Sequence, residues 1–113
     1  MKTNLFYFSA TGNSLIAAKD IAAELPETQI FSIPQVINGT IDFEADNIGL
    51  VFPVYFTGIP RIVSDFIKRL EPGKIKYLFA VCTYGGLFGG ALIETQKQLE
   101  ARGISLNAGY TIQ

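Results

Sequence analysis

The chain of 113 residues contains no histidine and a single cysteine. Without imidazole it has no His-ligated zinc, no Ser-His triad and no imidazole acid–base chemistry of its own. One thiol excludes an internal disulfide framework. Charge is also sparse: nine basic and ten acidic side chains, 17% of the residues, leave a formal net charge of −1. No Lys/Arg run is present, so the footprint of a nucleic-acid or anionic-membrane binder is missing. No apolar run approaches the roughly 18 residues of a membrane span. Met1-Lys2-Thr3-Asn4 leads into residues 5–8 without the long apolar region or small-residue cleavage site of a signal peptide. The expectation is a soluble cytoplasmic protein that binds neither nucleic acid nor membrane, in which a cofactor supplies any redox or group-transfer chemistry.

Hydrophobic residues make up 49% of the chain. A chain this short buries about two-thirds of its unfolded surface, enough for one core and not for two. Residues 1–113 are therefore read as a single domain. Short continuous runs of β-type residues stand at 5–8, 29–33, 48–52 and 77–82, with a weaker one at 104–112. Continuous hydrophobicity, unlike alternation, predicts strands covered on both faces, as in a parallel sheet.

Helical periodicity fills most of the intervals. Leu15, Ala18, Ala22 and Leu25 form one stripe with Ile21 beside it, stopped by Pro26. Ile62, Val63, Phe66, Ile67 and Leu70 form a second, with Pro60 suited to a first helical turn and Glu71-Pro72-Gly73 ending it. Phe88, Ala91, Leu92, Thr95 and Leu99 form a third, closed by Gly103 at a position that favours glycine. Asn38-Gly39-Thr40 interrupts the stretch between the second and third strands, which predicts a short or irregular crossover there. Asn38-Gly39-Thr40 also spells a glycosylation sequon, a pattern short enough to recur by chance. The resulting order, β-α-β-loop-β-α-β-α-β, is that of an open α/β sheet with right-handed crossovers. Such sheets bind ligands beyond the carboxyl ends of their strands.

Three loops occupy those ends. Ser9-Ala10-Thr11-Gly12-Asn13-Ser14 follows a strand and opens a helix, bringing hydroxyls, an amide and a glycine around free backbone N–H groups. That composition suits a phosphate dianion, although the same residues serve as caps and turns, and Thr11 alone reads equally as a helix N-cap. The dinucleotide, nucleoside-triphosphate and nucleophile-elbow spellings are all absent. The second loop, Pro53-Val54-Tyr55-Phe56-Thr57-Gly58-Ile59-Pro60, holds two adjacent aromatics that a flat ligand would cover, unless one folds back onto the core. The third, Thr83-Tyr84-Gly85-Gly86-Leu87-Phe88-Gly89-Gly90, permits close backbone approach and offers the Tyr84 ring, or is a plain flexible connection.

Together these loops resemble those of the flavodoxin family. Tyr7-Phe8-Ser9-Ala10-Thr11-Gly12-Asn13-Ser14 is similar to its phosphate loop, and Pro53-Val54-Tyr55-Phe56 and Thr83-Tyr84-Gly85-Gly86 fall where its two flavin-flanking loops belong. The nearest likeness is to the flavodoxin-like domain of flavodoxin-ferredoxin fusion proteins. The resemblance implies an α/β three-layer sandwich with a five-stranded parallel sheet of order 2-1-3-4-5, and FMN at the switch point between the first and third strands. It implies that Ser9, Thr11, Gly12, Asn13 and Ser14 hold the phosphate. The ring system would lie between the second and third loops, Pro53, Tyr55, Phe56, Thr57 and Gly58 on one side and Thr83, Tyr84, Gly85 and Gly86 on the other. Tyr84 and Tyr55 are the expected stacking residues, Phe56 an alternative to Tyr55, and glycine at Gly58 would let a peptide near the flavin reorient on reduction.

The implied function is electron transfer through FMN, with a redox protein or a ferredoxin-like iron-sulfur domain as partner. The alternatives are an FMN-dependent NAD(P)H:quinone or nitro reductase and a non-redox α/β binding module that has lost flavin. Flavodoxins are strongly acidic, whereas here residues 1–50 carry net −4 and residues 51–113 net +3, so no acidic docking face is expected. The family's fifth helix has no counterpart in the sequence, which predicts one partly bare sheet face, a chain truncated at its C-terminus or a homo-oligomer that covers the face. Of the smaller features, Cys82 reads as a buried structural thiol. Asp42, Glu44 and Asp46 read as solvated surface without the calcium-loop pattern, and Arg61, Lys68 and Arg69 as a solvated face of the second helix.

Overall fold

The computed structural model describes residues 1–9, 12–54, 58–83 and 90–112. Five strands, β1 (Thr3–Tyr7), β2 (Thr28–Ser32), β3 (Asn47–Pro53), β4 (Leu78–Thr83) and β5 (Ala108–Ile112), form one sheet in the order β2-β1-β3-β4-β5. Every pairing is parallel. Four helices connect them: α1 (Asn13–Glu24), the single turn α2 (Ile33–Val36), α3 (Arg61–Ile67) and α4 (Gly90–Glu100). The one-turn α2 is the short crossover predicted around Asn38-Gly39-Thr40. None of the described helices is long and apolar enough to cross a membrane.

The sheet divides the core into two unequal halves. On one side α2, α3 and α4 cover Phe6, Ile48, Leu50, Phe52, Leu78 and Ala80, and Phe66, Ile67 and Leu70 seal the layer. On the other, α1 alone rests on Leu5, Val51, Phe79 and Val81 through Ala17 and Ala18. The α1 contact face differs from the predicted stripe. Ser14, Ala17 and Ala18 are its buried residues, Leu15 is half-buried, and Leu25 is exposed and lies beyond the helix. Small residues win this face because the sheet surface beneath already carries a bulky ring.

That ring is Phe79. Leu5, Gly49 and Phe79 are register partners in a row across β1, β3 and β4. A Cβ on Gly49 would lie 2.4 Å from the Phe79 ring and 2.6 Å from Leu5 Cδ2. Gly49 thus supplies the hollow that lets Phe79 lie over the sheet and α1 approach closely.

α1 does not reach β5. Ala108, Tyr110 and Ile112 alternate toward the α1 side, and Tyr110 and Ile112 stay exposed there. On the opposite side Gly109 faces Leu92 of α4, whose Cδ2 would be 3.0 Å from an added Cβ. The bare apolar face expected from the sequence is therefore present over β5 among the described residues.

The charged residues behave partly as predicted. Asp42 accepts the Glu44 N–H at 2.8 Å, and Lys2 Nζ and Lys76 Nζ lie 3.8 Å and 3.9 Å from Asp42 and Asp46. No metal-binding cluster occurs among the described residues. Arg69 is exposed, as the solvated-face reading expects, and also makes tertiary contacts. It lies beyond α3 and donates to the carbonyls of Ile37 and Gly39, pinning the turn after α2. That turn has carbonyls without helical partners, and a guanidinium fork can meet two at once.

The Gly49 hollow makes a direct prediction. Gly49→Ala is expected to destabilise the fold by about 1–3 kcal/mol, the range for overpacking a filled core. Urea unfolding monitored by circular dichroism would read this as a lower midpoint at unchanged slope.

Candidate functional site

The carboxyl ends of β1, β3 and β4 are adjacent, so the three candidate loops leave the sheet side by side. Tyr7 is level with Val51, and Pro53 with Thr83. The strand order reverses between β1 and β3, which sends the connections after these strands to opposite faces and opens a crevice between them.

The first loop is held by its own side chains. Ser9 Oγ accepts the Gly12 N–H at 2.8 Å. Gly12, at φ 92°, is the N-cap of α1, and the Ile16 N–H closes the first turn on its carbonyl at 3.0 Å. A left-handed φ strains any residue with a Cβ, so glycine fits here. Among the described residues no side chain caps α1. Its first N–H groups keep their partial positive charge available to an anion. Asn13, the first helical residue, is exposed beside them.

Ser14 turns inward instead. Its hydroxyl is buried and lies 2.7 Å from Thr83 Oγ1, which is buried at the end of β4. Thr83 also receives the Val54 N–H on its carbonyl, at 3.4 Å, just beyond Pro53. Gly58, the described remnant of the second loop's far side, has φ 115°, and an added Cβ would sit 3.0 Å from Glu94 Oε2. Glu94 belongs to α4 and is held by Gln98 Nε2 at 3.4 Å. Sequence reasoning missed Glu94, because only the folded chain brings α4 beside the second loop.

Ser9, Gly12, Asn13, Ser14, Pro53, Gly58 and Thr83 are thus all placed at or beside the carboxyl edge. Thr11, Tyr55, Phe56, Thr57, Tyr84, Gly85 and Gly86 lie outside the described residues. Cys82, next to Thr83, faces the other core and is fully buried, and burial pushes its thiol up to about 12. It is the structural thiol that the apolar run predicts.

A groove of about 960 Å³ runs along α1 over the open side of the sheet, past Ile16, Asp20, Phe79, Val81 and Tyr110. Of the described candidate site residues only Asn13 and Thr83 touch it. It is the uncovered sheet face rather than the crevice between the loops.

No family model matches the sequence, and no curated protein matches it. Solved structures do match the fold. A flavoprotein from Lactobacillus acidophilus NCFM, in complex with FMN, superposes with a TM-score of 0.82 at 13% identity, over 97% of this chain and 92% of that one. Two-electron reduced flavodoxin from Megasphaera elsdenii gives 0.67 at 18% identity, over 97% and 85%. An FMN-dependent NADH-azoreductase from Bacillus anthracis, in complex with FMN, gives 0.57 at 10% identity, over 97% and 85%. The strand order, the all-parallel pairing and these neighbours establish that the chain has the flavodoxin-like fold.

Burial of Cys82 yields a pH prediction. Its folded value, about 12, exceeds the ordinary thiol value of 9.0, so its stabilising contribution is full below about pH 9 and is lost as pH rises toward 12. The stability advantage of the native chain over Cys82→Ala is expected to narrow as pH rises from about 9 toward 12 in urea unfolding. In the same window the native thiol is expected to stay inert to Ellman's reagent until the chain unfolds.

Proposed function

We propose that this chain is an FMN-binding electron-transfer domain. The observation that carries the reading is the glycine-led N-terminus of α1 at the same sheet edge as the ends of β3 and β4. Free helix N–H groups and the Ser9 hydroxyl suit a phosphate, and the neighbouring strand ends suit a ligand that extends across the crevice. Bound FMN would supply the redox chemistry, and the protein's part is to bind, orient and shield it.

Within that reading each chain residue has a limited task. Asn13 presents its backbone N–H to the phosphate, and Ser9, whose Oγ accepts the Gly12 N–H, holds the turn that aims it. Pro53 and Thr83 end two central strands and set where the second and third loops leave the sheet. Gly58 tolerates a left-handed backbone beside the Glu94 carboxylate. The chain's only thiol is buried, so it offers no accessible redox group of its own. Electrons therefore pass to and from a partner, which we take to be a redox protein or a ferredoxin-like iron-sulfur domain.

A reductase acting on quinones or nitro compounds on the same fold is the competing reading, supported by the azoreductase likeness. Steady oxidation of NADH with a quinone would favour the reductase. Reduction of only one equivalent of flavin without turnover would favour the carrier.

The reading is tested by titrating FMN with the purified chain, which is expected to quench flavin fluorescence with one-to-one saturation. A folded sample that leaves FMN fluorescence unchanged would refute it. Asn13→Asp makes a sharper test because its two effects oppose each other. A carboxylate in the first turn is expected to stabilise α1 by about 0.5 kcal/mol through the helix dipole. The same charge is expected to weaken FMN about tenfold while leaving phosphate-free riboflavin unchanged. Equal losses for both flavins would place the phosphate elsewhere.

A further inference from the structure

We infer that Ser14 and Thr83 are a positioning pair that fixes the span between the anion-binding end and the ring-binding end of the site, and that Ser14 acts through Thr83 rather than by touching the phosphate. The inference rests on the FMN reading above and adds a role that the loop spelling does not contain. Three contacts converge on Thr83. Its hydroxyl meets Ser14 Oγ at 2.7 Å, its carbonyl accepts the Val54 N–H at 3.4 Å, and its own chain continues into the third loop. One residue is thereby bonded to the helix that follows the first loop, to the start of the second, and covalently to the third.

The burial of the pair decides between a ligand and a brace. Ser14 is 1% exposed and Thr83 4%. A hydroxyl has one proton to donate and two lone pairs to accept with. Among the described residues each hydroxyl has the other as its partner, and the bond between them uses one of their two protons. Ser14 is the second residue of α1 and points at β4, whereas exposed Asn13 and the N–H of Gly12 lie at the helix tip. The helix that follows β1 is thus fastened at its N-terminal end to β4, two strands away in the sheet.

A ligand that bridges both ends of the site senses this span, whereas a ligand that uses one end does not. FMN has a phosphate and a ring system, riboflavin lacks the phosphate, and inorganic phosphate lacks the ring. A brace of purely structural value would lower stability and affect all three equally, or none.

The experiment compares the full chain with Thr83→Val, Ser14→Ala, the double variant and the conservative Thr83→Ser, each titrated with FMN, riboflavin and inorganic phosphate, with urea unfolding alongside. Thr83→Val is expected to weaken FMN about tenfold, the upper end for one hydrogen bond, with less than twofold change for riboflavin and for phosphate. Ser14→Ala is expected to match it, the double variant to be no weaker than either single one, and Thr83→Ser to bind FMN as the native chain does. If Thr83→Val fails to fold, Ser14→Ala against Thr83→Ser carries the same comparison. Native FMN affinity in Ser14→Ala overturns the inference, as do equal losses for FMN and riboflavin. Loss of both FMN and phosphate in Ser14→Ala with none in Thr83→Val also overturns it, by making Ser14 a direct ligand. Should the native chain bind no FMN, the functional reading falls and this inference with it. Should it bind FMN while the variants match it, the inference alone falls.

Discussion

The structure depends on the requirement that a parallel sheet be covered on both faces. β3 and β4 pair with neighbours on both edges and carry apolar side chains to both sides, so each face needs a packed layer. α2, α3 and α4 provide one layer, anchored by Phe66, Ile67 and Leu70. The second is a single helix, and its close approach relies on alanines above a sheet surface that Gly49 has hollowed for Phe79. Because right-handed crossovers place α1 and α3 on opposite faces, the loops leading to them part at the carboxyl edge. The candidate site is a by-product of covering the sheet.

Fixed positive charges follow the same economy of contact. Arg69 holds the carbonyls of Ile37 and Gly39, and Arg102 donates to the Leu70 carbonyl at 2.8 Å. Both spend their guanidinium groups on chain turns that helices leave unsatisfied. The basic surplus of residues 51–113 is therefore partly structural, and does not read as a docking patch for an acidic partner.

How much of this was legible beforehand depended on whether the signal was local. Residues 48–52 and 77–82 announced central strands because a continuous apolar run has no solvated face to display. Gly103 announced the end of α4, where it adopts φ 75° and the Ile104 N–H returns to the Leu99 carbonyl. The turn in the first loop was legible from its small polar residues, and Ser9 Oγ holds the Gly12 N–H there. The α1 stripe holds at Ala18, Ile21 and Ala22 and fails at Leu25, because hydrophobicity ranks leucine above Ala17 while the packing here rewards small volume opposite Phe79. The roles of Ser14 and Thr83 were hidden for a different reason. They stand 69 positions apart, and nothing in either neighbourhood names the other. Glu94 beside Gly58 was hidden in the same way.

The uneven cover has a dynamic consequence at β5. That strand has one neighbour, β4, an outer edge with no strand beside it in the sheet, and little cover on the α1 side. Its ladder to β4 and the contact of Gly109 with Leu92 carry most of its attachment. Local opening begins where buried apolar contact is least, so amide protons of β5 exchange with solvent well ahead of those in β3. Each opening frees the flank of β4 as far as Thr83, the register partner of Ile112. The sheet edge farthest from β1 is thereby linked by register to the strand end that carries Thr83.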